Sequence, residues 1–285
     1  LLLWHSYGPG STEAQAVEQL AREFGTSRNL KILALPVPNE VYTKKLMTDI
    51  PQSVGPDLFI GQHDQLGEWS ASHLIKPLDL DPTWLAQFHP ITRQALSYDG
   101  VLYAIPLVFK TPVLIYNRAL LKDPPKTTDE LLAILSQFQA QGGSPQRYGL
   151  AYEATNFFYH SAWMHGFLGG VSDPKTGHIV EFGSEGNIAS VAFVQKLANF
   201  MPTNLNGADV KELFRTGQAA MVISGPWFLD NLKGIDVQIA VLPVISDTKT
   251  PAKPFVTAEG IFLAQNARNP ALALELMQFI AGDRG

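Results

Sequence analysis

Phe214–Leu232, FRTGQAAMVISGPWFLDNL, is the stretch whose reading decides the fold. It predicts the end of a helix, a glycine stop at Gly217 and a short buried strand over Ala219–Ile223. A Ser-Gly-Pro turn at Ser224–Pro226 follows, then the first turn of another helix carrying Trp227. A Gly-Pro turn between an apolar strand and an aromatic-led helix places that aromatic at the strand's carboxyl edge, where open α/β sheets bind ligands. An indole there offers a flat apolar face, suited to a sugar ring, and one N–H donor. For a lone Trp, burial in the core is the commoner outcome, so the rest of the chain has to decide.

Upstream of that stretch the chain reads as strand, helix, strand, helix, strand. Leu1–His5 is an apolar strand and Ser6–Ser11 a Gly/Pro turn. Thr12 and Gln15 form an expected capping-box pair for a helix whose Val17, Leu20, Ala21 and Phe24 share one face. Leu30–Val37 is a second strand, Tyr42, Leu46 and Ile50 mark a second helix, and Gly55-Pro56-Asp57 opens the strand Leu58–Ile60. This pattern predicts a largely parallel, layered domain. Gly61–Trp69 is expected to begin a helix, and Asp99-Gly100 is a hairpin turn. Leu107–Asn117 is a long apolar run interrupted by Pro112, expected to be a hinge passing from one lobe to another.

Beyond it, Thr127 and Glu130 cap a helix with a stripe of Leu131, Ile134, Leu135 and Phe138. A strand at Tyr148–Tyr152, a helix at Phe157–Leu168, a hairpin at Asp173–Phe182 and a helix at Gly186–Phe200 lead to the opening stretch. Val237–Val241 is a strand, Ser246–Pro254 a polar connector, Phe255–Leu263 is extended, and Asn269-Pro270 caps a last helix. Passages near residues 110 and 256 would divide the chain into a discontinuous lobe 1 (1–109 plus 257–285) and an inserted lobe 2 (110–256), able to close on a ligand.

Composition bounds the function. The 285 residues are 46 % hydrophobic and 16 % charged, enough apolar material for two cores. A net charge of -5 without a basic run makes nucleic acid an unexpected partner. Zero cysteines exclude disulfides and thiolate metal sites, and suit export to an oxidising compartment. No run approaches the ~20 apolar residues of a membrane span. The chain opens on Leu1-Leu2-Leu3-Trp4, so any signal or tether is expected to have been removed or to lie outside this sequence. Phosphate-loop, dinucleotide, nucleophile-elbow and zincin motifs are absent. His160 and His165, five apart on one helix, are awkwardly spaced for a shared metal. Trp4 and Trp163 are expected in the core, Trp69 and Trp84 as partly exposed packing.

Several stretches, in order, resemble the extracellular sugar-binding proteins of ABC importers, the maltose/maltodextrin-binding kind among them. They are Gly55-Pro56-Asp57, Ala104–Asn117, Pro124–Thr127, Phe214–Trp227, Val241-Leu242-Pro243, Lys253–Val256 with Glu259-Gly260, and Asn269–Ile280. The resemblance implies a periplasmic-binding-protein-like fold: two α/β lobes joined by hinge strands, with an inter-lobe cleft closing on a carbohydrate. It implies a non-catalytic binder, periplasmic or extracellular and in some cases membrane-tethered, with no cofactor and no metal. Its partners would be an oligosaccharide and the membrane subunits of an ABC transporter.

By the same resemblance Trp227 is the stacking Trp and Asp64 an acceptor for sugar hydroxyls, flanked by Gln62 and Gln65. Tyr159, in the cluster with Phe157, is the best match to a stacking Tyr, with Glu153 as polar partner. The chain departs from the pattern in four places: Gly61 and Gln65 replace a Trp and an Arg, Gly8-Pro9 an Asp-Lys pair, and Lys110 a cleft acid. Those losses put maltose itself in question. They keep open an alternative reading, a transporter-associated or fused domain whose cleft has lost or changed sugar binding and serves docking. The family usually continues for several more helices, so the chain is expected to be either shortened or part of a larger polypeptide, for example one fused to a permease subunit. A glycosidase reading, with Asp64 and Glu153 as facing carboxylates, is the third class.

Overall fold

A computed structural model describes residues 1–172, 179, 182–229 and 232–282. The chain divides into two units, Leu1–Phe109 with Thr257–Gly285, and Lys110–Val256.

The first unit begins with β1 (Leu2–His5), α1 (Thr12–Arg28), β2 (Leu33–Pro36), α2 (Asn39–Asp49) and β3 (Leu58–Gln62). A 3-10 turn, His63–Gln65, runs into α3 (Leu66–Ala71), and the short helices α4 (Pro82–Leu85) and α5 (Pro90–Ala95) follow. The hairpin β4 (Ser97–Tyr98) and β5 (Val101–Leu102) turns on Asp99 and Gly100, both at positive φ. β6 (Ala104–Lys110) ends this part of the chain.

Several sequence expectations shift here. Ser11, not Thr12, caps α1: its hydroxyl accepts from Ala14 N, while the Gln15 amide donates to Gly10 O. Gly61 and Gln62 belong to β3 rather than to a helix. Trp69 is 1 % exposed, not partly exposed. Its ring lies on β3 where Gly61 leaves room, for a Cβ there would stand 2.5 Å from Trp69 Cη2. Phe59 and Phe262 meet the indole edge-on at 5.1 and 5.2 Å.

The second unit holds β7 (Val113–Asn117), α6 (Thr128–Gln141), β8 (Tyr148–Ala151), α7 (Phe157–Gly166), α8 (Glu185–Ala198), α9 (Gly207–Arg215), β9 (Ala219–Ser224) and β10 (Val237–Ala240). Its sheet runs β10-β7-β9-β8, with β8 and β9 parallel and β7 antiparallel to both β9 and β10. All six residues of β9 are buried, as a strand covered on both faces requires. The expected hairpin Asp173–Phe182 falls mostly outside the described residues; an antiparallel bridge joins Ser172 to Ile179. The long run Leu107–Asn117 breaks at Thr111-Pro112 between β6 and β7, and the Thr111 hydroxyl donates to the Phe255 carbonyl at 3.1 Å.

The chain then returns to the first unit through β11 (Thr257–Leu263) and α10 (Pro270–Ala281). The five-stranded sheet runs β2-β1-β3-β11-β6. β1, β2 and β3 are parallel, but β11 runs antiparallel to β3, so this sheet is mixed rather than largely parallel throughout. Asp57 locks its start: the carboxylate accepts from Leu2 N, Arg268 N and the Arg268 guanidinium. That accounts for Asp57 after Gly55-Pro56 in physical terms.

Candidate functional site

In the second unit, three segments converge at the carboxyl edge of β8 and β9 on a recess of ≈ 140 Å³. β9 ends at Ser224, and a 3-10 turn of three residues, Pro226–Phe228, stands where the sequence predicted a longer helix. Gly225 lets the Trp227 ring lie on the backbone, since a Cβ there would come within 2.3 Å of the indole. Phe228 is buried against Phe214, with ring centroids 5.5 Å apart, which anchors the turn. Trp227 is thereby held 39 % exposed on the recess wall.

Glu153, two residues past β8, and Tyr159 on α7 line the same recess. Asn156 caps α7 by accepting from Phe158 N, and the Phe158 ring lies 6.1 Å from Trp227. Tyr159 is buried, and burial raises its hydroxyl pKa, with a further push from the Glu153 charge; hydrogen bonding from Ser224 and Trp227 pulls the other way. The wall therefore combines an apolar face with a carboxylate and hydroxyls, the mix of apolar lining and a few placed polar groups that small-molecule pockets carry.

Phe157 points elsewhere. In α7, residues 157, 161 and 165 share a face about 160° from Tyr159. The Phe157 ring lies 5.9 Å from Phe255, and Phe255 N donates to Ser161 Oγ. Phe157 is not among the residues lining the recess. His160 pairs with Ser190 and His165 with the Lys253 carbonyl, so the two imidazoles serve different partners. Among the described residues no group of three His, Cys, Asp or Glu could hold a metal ion.

In the first unit, Gln62 ends β3, and Asp64 and Gln65 sit in the 3-10 turn beyond it. The Gln65 amide donates to Asp64 Oδ2 at 3.4 Å, and Ala258 N donates to His63 Nδ1, which ties the turn to β11. Asp64 and Gln62 are exposed, Gln65 half-buried. Lys110 closes β6 and is half-buried.

Four further residues join these edges without having been singled out as sites. Ser224 and Lys211 line the recess of the second unit. In the first unit Tyr7 donates to Glu259 Oε2, and Glu259 stands opposite Gln62 in the β3–β11 register. Burial first, and then the Glu259 charge, drives the Tyr7 hydroxyl pKa far up. Sequence patterning could not find Glu259, because β11 is buried almost throughout and shows no alternation.

A family model described as bacterial extracellular solute-binding protein matches residues 8–285. The maltotriose-binding protein of Pyrococcus abyssi is 28 % identical over 286 residues, covering 98 % of this chain and 62 % of that protein. The maltodextrin-binding protein of Bacillus subtilis is 24 % identical over 286 residues, covering 95 % and 67 %. The chain thus spans about two thirds of the length of these relatives, 62 % and 67 %. A solved cyclo/maltodextrin-binding protein complexed with maltotetraose superposes with a TM-score of 0.82 at 30 % identity, over 99 % of this chain and 74 % of that one. The Thermus thermophilus maltotriose binding protein, at 23 % identity, shares the fold with a TM-score of 0.86, over 99 % and 77 %.

Proposed function

This chain belongs to the bacterial extracellular solute-binding protein family, and from that premise we propose that it binds a neutral oligosaccharide of the maltodextrin type without transforming it. The single observation that carries this reading is the shared recess of Trp227, Tyr159 and Glu153 at a sheet's carboxyl edge. The indole supplies a stacking face, and Glu153 accepts from ring hydroxyls. Relatives named for maltotriose and maltodextrin support the ligand class. Asp64, Gln62 and Gln65 are proposed as polar contacts from the first unit, and Lys110 as a cation at its boundary.

The two units are proposed to act as lobes that close on the sugar. Closure requires a ligand that favours the closed state over the open one by more than the intrinsic bias between them. The closed form would then be handed to the membrane subunits of an ABC transporter. A pneumococcal relative named as a solute-binding lipoprotein supports a tethered, extracellular setting.

Maltotriose at ~100 times its dissociation constant should add about 2.7 kcal/mol to unfolding stability. The same titration should lower the radius of gyration in small-angle scattering and leave the sugar uncleaved. Trp227→Ala should weaken binding by about 1 kcal/mol. No stabilisation by any neutral oligosaccharide, or release of cleaved product in stoichiometric excess, would reject the reading.

A further inference from the structure

We propose that Lys211 is a specificity-determining residue that, together with Glu153, reads two adjacent hydroxyls on a neutral sugar ring. This rests on the reading of the second unit's recess as a carbohydrate site and states what that site selects.

Asn206 caps α9, its side chain accepting from Ala208 N and Asp209 N, and the Asp209 carboxylate accepts in turn from Asn206 N. Glu212 pairs with Arg215 at 2.7 Å. The charged groups Asp209, Glu212 and Arg215 are therefore engaged within the helix. Lys211 has no ion-pair partner among the described residues and lines the recess instead.

Gly207 and Lys211 are four apart, on one face of the helix. Helical side chains lean toward the N-terminus, so a Lys211 stem following that lean meets no side chain at Gly207, which lines the same recess. A Cβ on Gly207 would lie 3.3 Å from Glu153 Oε1, which places the carboxylate in front of the first turn of α9. The helix N-terminus favours that negative charge.

An acceptor-only carboxylate and a donor-only ammonium thus line one recess, with Trp227 as its apolar wall. A neutral diol satisfies both: one hydroxyl donates to Glu153 and its neighbour accepts from Lys211. Each bond is charge-assisted, and no net charge is left over. A ring carrying an ammonium in place of the second hydroxyl would face Lys211 with like charge. A ring carrying a carboxylate in place of the first would face Glu153 in the same way.

Calorimetric titration of the full chain with maltotriose, and with a series of monoamino maltotrioses bearing the amine at successive positions, tests this. Lys211→Met keeps the aliphatic stem and removes only the charge, and its thermal midpoint should match the parent's. The variant should bind maltotriose about tenfold or more weakly. It should also narrow the parent's discrimination against at least one amino analogue. Equal maltotriose affinity in parent and variant would overturn the role of Lys211 and leave the carbohydrate site standing. So would a uniform loss across maltotriose and every analogue, which marks a structural effect. A parent protein that binds no neutral oligosaccharide, including galactotriose and maltotetraose, would remove the carbohydrate reading and this proposal with it.

Discussion

At the scale of single residues, Asp57 shows how a short motif acquires meaning only through contacts made far along the chain. Burial alone would raise its carboxyl pKa, but the Arg268 guanidinium and the backbone N–H groups of Arg268 and Leu2 hold it below the ordinary value. The Arg268 ion pair closes at 2.6 Å, with the Asp57 side chain 1 % exposed and the Arg268 side chain 66 % exposed. Asp57→Ala should therefore cost about 3 kcal/mol, since buried donors lose a charged acceptor while the arginine can turn to water. Chemical denaturation measures this, and Asp57→Asn should recover part of the loss. An unchanged denaturation midpoint in the Ala variant would show that the latch contributes nothing. Gly61 and Gly225 make a parallel point: each is a place where an indole lies on bare backbone, Trp69 in the core and Trp227 on a recess wall.

At the scale of elements, β2 is an edge strand whose outward side is blunted by its own sequence. Leu33 N donates to Leu1 O and Val37 N to His5 O, so the odd-numbered amides face β1. Positions 34, 36 and 38 then face away from the sheet, and two of these are Pro36 and Pro38. Leu33 and Leu35 are 44 % and 43 % exposed, so an unguarded edge here would invite pairing with another chain. Replacing both prolines by Val should raise the average mass in sedimentation or light scattering as concentration rises. Unaltered mass would mean that the prolines are incidental to association. α7 illustrates the same sorting by face. Tyr159 and Phe158 turn toward Trp227, while Ser161 and His165 bind the returning segment at Phe255 and Lys253.

At the scale of the whole molecule, each unit contains a histidine whose environment disfavours the charged form: the buried His5 in the first and the half-buried His160 in the second. Desolvation lowers both pKa values below the ordinary 6.5, and for His5 the Glu18 charge opposes it only in part. A depressed histidine pKa means that the unfolded chain binds protons first as the solution is acidified. The stability from these groups is fully present above pH 6.5 and falls as pH drops through the interval between the unfolded and folded values. The Asp57 latch is lost only lower, below its ordinary 3.8. Urea unfolding should thus show a decline beginning near pH 6.5, flattened in a His5→Gln, His160→Gln double variant. A parent profile flat from pH 7.5 to 5 would contradict it.

Periodicity and punctuation determined most of the succession of strands and helices and the α/β class, because these follow from nearest-neighbour hydrogen bonding and from one apolar face per element; the family was legible only as a resemblance of ordered motif stretches such as Gly55-Pro56-Asp57 and Phe214–Trp227. The Gly-Pro turn likewise told that Trp227 follows a buried strand. Only the tertiary structure decided that Ser224 and Lys211 stand beside Trp227, that Trp69 is sealed in and that Phe157 faces the returning segment. The recess draws on segments around residues 153–159, 207–211 and 223–228, and the parallel pairing of β8 with β9 sets their distances. Such pairing depends on contacts between residues tens of positions apart, and no local pattern in the chain encodes it.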